Sequence, residues 1–318
     1  MEILAPLNNV NDIEKLVNAG VTELYFGFYD EEWTRQFGEN SCINRMSNFG
    51  ERANSISVRQ VSEVVKAIRK AGAKSFITLN ATQYTTQELE MLSIYLQSWR
   101  NEKPDGIIVS GVDEARLVLE HGLVPVASTM CGIFNADIAK YYADIGVKRM
   151  ILPREMTLDE MKNICEQCSD VEFEAFFMRN GCMFSDTFCL GVHSREHGSL
   201  CANLCNSKTM IQGDRGDFYS VNEAEENCII FHEYYHRSTC GMCALYRLKE
   251  IGISSLKIVG RADHSDAIAE DAKLIYNNIR IVNDVKSEKV YLNKMQFPKN
   301  RYYRCKNGLS CYYPEVRF

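Results

Sequence analysis

Seven cysteines between Asn180 and Leu245 are the residues of this chain whose type and spacing most suggest chemistry: Cys182, Cys189, Cys201, Cys205, Cys228, Cys240 and Cys243. Six of them fall into three paired groups, NGCMFSDTFC, HGSLCANLC and STCGMCAL, each beside Gly, Asn or Ser. Cysteine also serves as a small buried hydrophobe, but thiols gathered into several loops suit a metal or iron–sulfur centre held between those loops. Four histidines lie in the same stretch, His193, His197, His232 and His236. His193 or His197 beside Cys189 or Cys201 would make the thiol–imidazole pair of a cysteine peptidase. His232 and His236, four apart, would suit zinc on a helix, with Cys240 or Cys243 completing a tetrahedron around a purely structural metal. GxSxG does not occur, while His232 to His236 reads HEYYH, which has the HExxH spacing.

The remaining composition sets the frame. The chain has 318 residues, 46% hydrophobic and 25% charged, with a formal net charge of −6. That charge argues against a general electrostatic grip on nucleic acid. It opens MEILAPLNNV, without a basic segment leading into an apolar one, and has no apolar run long enough to cross a bilayer. A cytoplasmic protein is the expectation, and its 13 cysteines then point to metal or redox chemistry rather than disulfides.

What must position these thiols is a repeating strand–helix rhythm. Strands are expected at Glu2–Pro6, Thr22–Tyr29, Lys74–Asn80, Gly106–Ser110, Pro125–Thr129, Lys148–Pro153, Glu172–Met178 and Ser255–Gly260. Helices are expected at Val10–Ala19, Val58–Ala71, Thr86–Arg100, near Asp113, Asn135 and Thr157, and over Asp266–Ile281, with a long polar loop from Asp30 to Ser57. Thr157 and Glu160 have the spacing of a capping box. Eight alternating units with near-continuous apolar strands predict an α/β fold, a (β/α)8 TIM-like barrel. An open doubly wound sheet is the alternative, weakened by the lack of GxGxxG after the first strand. The barrel would occupy residues 1–284, with the cysteine-rich insertion (180–252) after strand seven, and 285–318 would be a basic and aromatic extension.

In such a barrel chemistry sits at the C-terminal ends of the strands. The insertion leaves from that rim, so its cysteines should overlie the mouth, facing Asn80, Ser128, Thr129, Arg154, Glu155, Arg179 and Arg261. We take Arg154, Glu155, Arg179 and Arg261 as candidate catalytic residues. The extension, which carries Cys305 and Cys311, reads as a tail packed across the barrel rather than as an RNA-contacting lid.

The segments ILAPLNNVNDIEKLVNAGVTELYFGF, DGIIVSGVDEARLV, GVKRMILPREMTLDEMKNI, FEAFFMRNGCMFSDTFC and SLKIVGR resemble peptidase family U32, the collagenase-like peptidases, in order from about Ile3 to Ile281. The most specific parts are Pro153–Glu155, the C-x6-C pair Cys182/Cys189, the C-x3-C pair Cys201/Cys205 and SLKI-x-GR. The resemblance implies either a collagenase-like peptidase or an iron–sulfur enzyme of oxygen-independent hydroxylation. Members of the second kind act on ubiquinone precursors, a tRNA wobble uridine or a ribosomal-RNA cytidine, and in the RNA branches prephenate is implicated as oxygen donor. It further implies a [4Fe-4S] cluster on Cys182, Cys189, Cys201 and Cys243, with Cys205 and Cys240 as rivals and Cys42 a weaker candidate. Four thiolates would fill all four irons, while three would leave one open. Arg154, Arg179 and Arg261 would suit the carboxylates of a prephenate-like donor. A second family member or a second copy of the chain is an expected partner, and no membrane is.

This sequence departs from the family pattern in places. Arg179-Asn180-Gly181 stands where His-Gly is common, Ser128-Thr129-Met130 where Ser-Thr-Gln is usual, and Val259 where an acid is expected. Arg45 falls near an arginine position of the family. These changes imply a divergent substrate.

Overall fold

The computed structural model describes residues 1–182, 185–187, 209–212, 218–221, 239–298, 305 and 311–316, with backbone alone at 209–212 and 218–221. Eight parallel strands close into a barrel: β1 (Glu2–Pro6), β2 (Glu23–Phe26), β3 (Lys74–Leu79), β4 (Gly106–Val109), β5 (Pro125–Ala127), β6 (Arg149–Ile151), β7 (Glu172–Met178) and β8 (Ser255–Ile258). Closure is made by β1, which pairs with β8 through Ile3 and Leu256 and with β2 through Ala5 and Leu24. The strands are buried along nearly their whole length, as both faces of a barrel strand must be.

Outside lie α1 (Ile13–Asn18), α2 (Glu31–Phe37), α3 (Val61–Lys70), α4 (Thr86–Ser98), α5 (Val112–Glu120), α6 (Ala136–Ile145), α7 (Leu158–Gln167), α8 (Leu245–Ile251), α9 (Ser265–Asp284) and α10 (Glu288–Lys294). Sequence chemistry sets their ends. Thr157 and Glu160 form the expected reciprocal box at the start of α7, as Thr85 and Glu88 do at α4. The inner stripe of α3, Val61, Val64, Val65 and Ile68, is fully buried.

One expected loop is structured. Residues 30–57 contain α2, a 3₁₀ segment over Ser47–Arg52, and a short strand Ile56–Ser57 that pairs in parallel with Phe28–Tyr29. Asp30 caps α2 by accepting from the Glu32 N–H at 3.1 Å. The helix buries Trp33 alone among its seven residues, so its sequence offers too few apolar positions to betray a period.

The barrel interior is partly ionic. Arg149 donates to both carboxylate oxygens of Glu23, at 2.7 Å for Nη1 to Oε1, and to Glu174 at 3.1 and 3.3 Å. Lys257 donates to the other oxygen of Glu174 at 2.7 Å, and Ser255 to Glu23 at 2.7 Å. All five side chains are buried, and two carboxylates balance two cations. Burial pushes the Glu23 carboxyl up, but the Arg149 guanidinium and Ser255 override it and hold the group below the usual carboxylate range. Above this layer the ring of Phe76 needs the space left by Gly106, where an added Cβ would sit 2.7 Å from it.

Among the described residues no helix is long and apolar enough to cross a membrane.

Candidate active site at the barrel mouth

The described mouth residues form two networks. The first is centred on Asp186, which lies between Cys182 and Cys189 in sequence and is buried. Its carboxylate accepts from Arg154 Nε at 2.8 Å and Nη2 at 2.6 Å, and from Arg45 Nη1. Burial alone would raise its pKa. The charges of Arg154 and Arg45 prevail and hold it below the usual carboxylate range. Arg154 also donates to the Asn180 carbonyl at 2.8 Å and lies 4.2 Å over the Phe176 ring. Asn80 joins the rim by accepting from the Arg45 N–H at 3.5 Å and donating to Ser128 at 3.4 Å. The Thr129 hydroxyl is buried without a hydrogen-bond partner among the described residues, while its carbonyl accepts from Thr187 at 2.9 Å.

Arg179 is the hinge by which the chain leaves β7. Arg179 and Asn180 both take positive φ, 65° and 44°, which costs a non-glycine residue energy unless its surroundings enforce it. Here they do. The Arg179 guanidinium binds Asp271, Asp263 at 3.4 Å and the Ala267 carbonyl at 3.2 Å, and Asn180 donates to Asp263 at 3.0 Å. The Arg179 N–H donates to the Thr239 carbonyl at 2.7 Å, and the Gly181 N–H to the Thr239 hydroxyl at 3.2 Å. Tyr312 donates to the Arg179 carbonyl and its ring stacks on Phe176, 6.1 Å between centroids.

These contacts dock the two described cysteine segments together. Cys182 follows the strained turn, half-buried. Cys240 forms an antiparallel bridge with Met178 at the end of β7 and a parallel bridge with Cys311 of the tail. Its Sγ accepts from the Met242 N–H at 3.4 Å. Cys243 follows in a 3₁₀ turn whose Met242 carbonyl accepts from the buried Tyr291 hydroxyl at 2.7 Å. The tail expected to pack across the barrel does so at 311–316, where Tyr313 is buried and donates to the Phe176 carbonyl at 2.7 Å.

The second network surrounds Arg261. The residue is 5% exposed, and its guanidinium donates to Asn44 at 2.8 Å, Thr78 at 3.1 Å and Asn54 at 3.2 Å. All three acceptors are neutral. Burial lowers its pKa to about 10. Gly27, just past β2, leaves room for it, since a Cβ there would lie 1.9 Å from Nη1 and 2.2 Å from Asn54 Oδ1. Gly27→Ala is therefore expected to displace Arg261 and cost about 1–3 kcal/mol. A urea midpoint unchanged by the substitution would show that the guanidinium is not confined there.

The structure thus brings Arg154 to Asp186 and Arg179 to Asp263 and Asp271, leaves Arg261 with neutral partners, and exposes Glu155 away from these networks. Cys42 lies beyond β2, its thiol pKa pushed up by burial. Cys189, Cys201, Cys205, Cys228, His193, His197, His232 and His236 lie outside the described residues. Among the described residues no three His, Cys, Asp or Glu side chains converge as a metal site. Asp186, Asn44, Asn54, Asp263 and Asp271 were not singled out from the sequence. Asp186 had one available signal, an acid inside a C-x6-C pair.

The sequence pattern of peptidase family U32 matches residues 8–315. An uncharacterized protease of Methanocaldococcus jannaschii is 24% identical over 309 residues, covering 94% of this chain and 69% of that protein. A 23S rRNA 5-hydroxycytidine synthase of Escherichia coli is 28% identical over 221 residues, covering 67% of this chain and 32% of the relative. A tRNA hydroxylation protein of Bacillus subtilis is 24% identical over 268 residues, 82% of this chain and 58% of the relative. The chain therefore spans less than two thirds of the length of both RNA-hydroxylating relatives.

Proposed function

Because the chain belongs to peptidase family U32, we propose that it is an iron–sulfur enzyme of oxygen-independent hydroxylation, its chemistry carried out at the barrel mouth. Relatives named for rRNA and tRNA hydroxylation favour an RNA base as substrate over a small molecule or a peptide. The observation that carries the reading is the docking of Gly181 on Thr239 and of Met178 on Cys240, which ties the Cys182 segment to the Cys240–Cys243 segment at the mouth.

The donor set suits a cluster. Cys240, the rival fourth ligand, has its Sγ oriented by the Met242 N–H, and the Arg154 cation lies close enough to Cys182 for their charges to interact. Cys182, Cys189, Cys201 and Cys243 would hold a [4Fe-4S] cluster, which supplies one-electron redox chemistry when bound. Asp186, Arg45 and Arg154 would hold the start of the insertion against the rim. The oxygen donor would be a prephenate-like carboxylate.

Anaerobic reconstitution with iron and sulfide tests this. Wild type should turn brown, with iron and sulfide in equal amounts, and Cys182→Ala and Cys243→Ala should each lose at least half of the iron. Full occupancy in both variants sinks the ligand set. Colourless protein with one zinc per chain favours the structural-metal alternative. Peptide cleavage that survives iron chelation and stops on thiol alkylation favours the peptidase.

A further inference from the structure

The C-terminal tail meets the barrel mouth at a pair of cysteines. Cys311 forms a parallel bridge with Cys240, and the Tyr312 N–H donates to the Cys240 carbonyl at 3.1 Å. Cys240 is bridged in turn to Met178 at the end of β7, so the tail is the outer member of a short ladder that begins on the barrel. The approach is close because Gly241 has no side chain: a Cβ there would sit 2.9 Å from the Tyr313 ring. Beyond Cys311 the tail is pinned down. The Tyr312 hydroxyl donates to the Arg179 carbonyl and its ring stacks on Phe176. The Tyr313 hydroxyl donates to the Phe176 carbonyl at 2.7 Å, and Glu315 accepts from the Leu158 N–H at the start of α7 at 2.8 Å. Directly paired residues on neighbouring strands present their side chains to the same face, with backbones about 4.8 Å apart. That separation falls inside the roughly 4.4–6.8 Å between Cα atoms that a disulfide spans. Cys240 is buried and Cys311 half-buried, so the outer thiol is open to a small reagent and the inner one is placed to displace it.

We propose that Cys240 and Cys311 form a reversible disulfide that locks the tail across the mouth. The oxidant is a small-molecule disulfide, RSSR. The Cys311 thiolate attacks one of its sulfurs, making a mixed disulfide and releasing RS⁻, which takes up the proton that Cys311 gave up. The Cys240 thiolate then attacks the Cys311 sulfur, forms the Cys240–Cys311 bond and expels the second RS⁻, protonated in the same way. Two electrons pass from the pair to RSSR, which leaves as two RSH, and excess thiol reverses both steps. The bond closes a long loop of chain, so it removes freedom from the states in which the tail has left the mouth. The proposal needs no iron–sulfur cluster. It touches that reading in one respect: it commits Cys240 to the tail and leaves Cys243 as the thiol of its segment for a cluster.

Treatment of the anaerobically purified chain with oxidised glutathione tests it. Cysteine connectivity is read by peptide mapping, hydrogen exchange is followed at Tyr312 and Tyr313, and iron is measured on the same samples. Wild type should yield a Cys240–Cys311 cross-linked peptide, and exchange at the two tyrosines should slow about tenfold or more. Dithiothreitol should reverse both changes. Cys311→Ser and Cys240→Ser should each lose the slowing, and the wild-type map with its reversal decides the matter even if a variant misfolds. Cys240 joined to Cys243 or Cys182, no cross-link at Cys311, or a cross-link that leaves exchange unchanged overturns the proposal. Folded Cys240→Ser that cannot retain iron on reconstitution would make Cys240 a cluster ligand, overturning the proposal and leaving the iron–sulfur reading intact. Colourless, iron-free wild type that still forms the cross-link would do the reverse.

Discussion

Arg149→Met is expected to destabilise the fold by about 3–5 kcal/mol, the usual cost of removing one partner from a buried ion pair. The arginine serves two buried acids at once, Glu23 and Glu174, and of these two Lys257 donates to Glu174. Methionine fills much of the volume but leaves Glu23 with Ser255 and the distant, half-exposed Lys74, 3.9 Å away. Against a typical total of about 5–15 kcal/mol, the loss should be plain in a urea titration.

The pH dependence supplies a sign. In wild type the folded Glu23 carboxyl is held below its ordinary value, so its stabilisation is full above the unfolded pKa and is lost as pH falls through the lower folded one. Without Arg149, burial dominates and raises that carboxyl. Acidification from neutrality should then stabilise the variant where it does nothing for wild type. Parallel pH profiles would mean that the network does not govern Glu23.

Asp186→Asn should cost about 3 kcal/mol, because it leaves the Arg154 and Arg45 guanidinium groups facing a neutral amide. Its effect should be local as well as global. Asp186 is the tie between the Cys182 segment and the rim, so the variant should lose iron on reconstitution more readily than Arg149→Met compared at equal overall stability. Equal iron retention in the two variants would reduce Asp186 to a stability residue.

The barrel was legible in the sequence because its evidence is repetitive. Apolar runs such as EFEAFFM and SLKI recur between amphipathic stretches, and capping chemistry like that of Thr157 marks helix starts. The ionic interior was legible in principle and was missed. Glu23, Arg149, Glu174 and Lys257 are polar residues inside otherwise apolar strands, and strand alternation points Glu174 and Phe176 the same way. What hid them was their distance along the chain, since no local window holds two partners. Arg261 could be placed at the mouth by topology, but its lack of an acid depends on Asn44 and Asn54, which sit in a segment read as loop. The role of Arg179 was invisible for a different reason: a positive φ leaves no mark on sequence when the residue is not glycine, and the ion pairs that enforce it come from α9 and the turn before it. The choice between Cys201 and Cys205 as third ligand rests on residues outside those described.

The wiring of the ionic layer bears on how the barrel assembles. Glu23 is 126 residues from Arg149 and 232 from Ser255, so its first partner arrives only after more than a hundred further residues and its second much later. Until then the acid is better off in water, and a partial barrel that buried it early would suffer the desolvation without the compensation. Long loops must also be closed before those charges meet. The layer thus works against premature closure: half-barrels are left open and hydrated, and only registration of β8 beside β1 makes the sealed interior favourable.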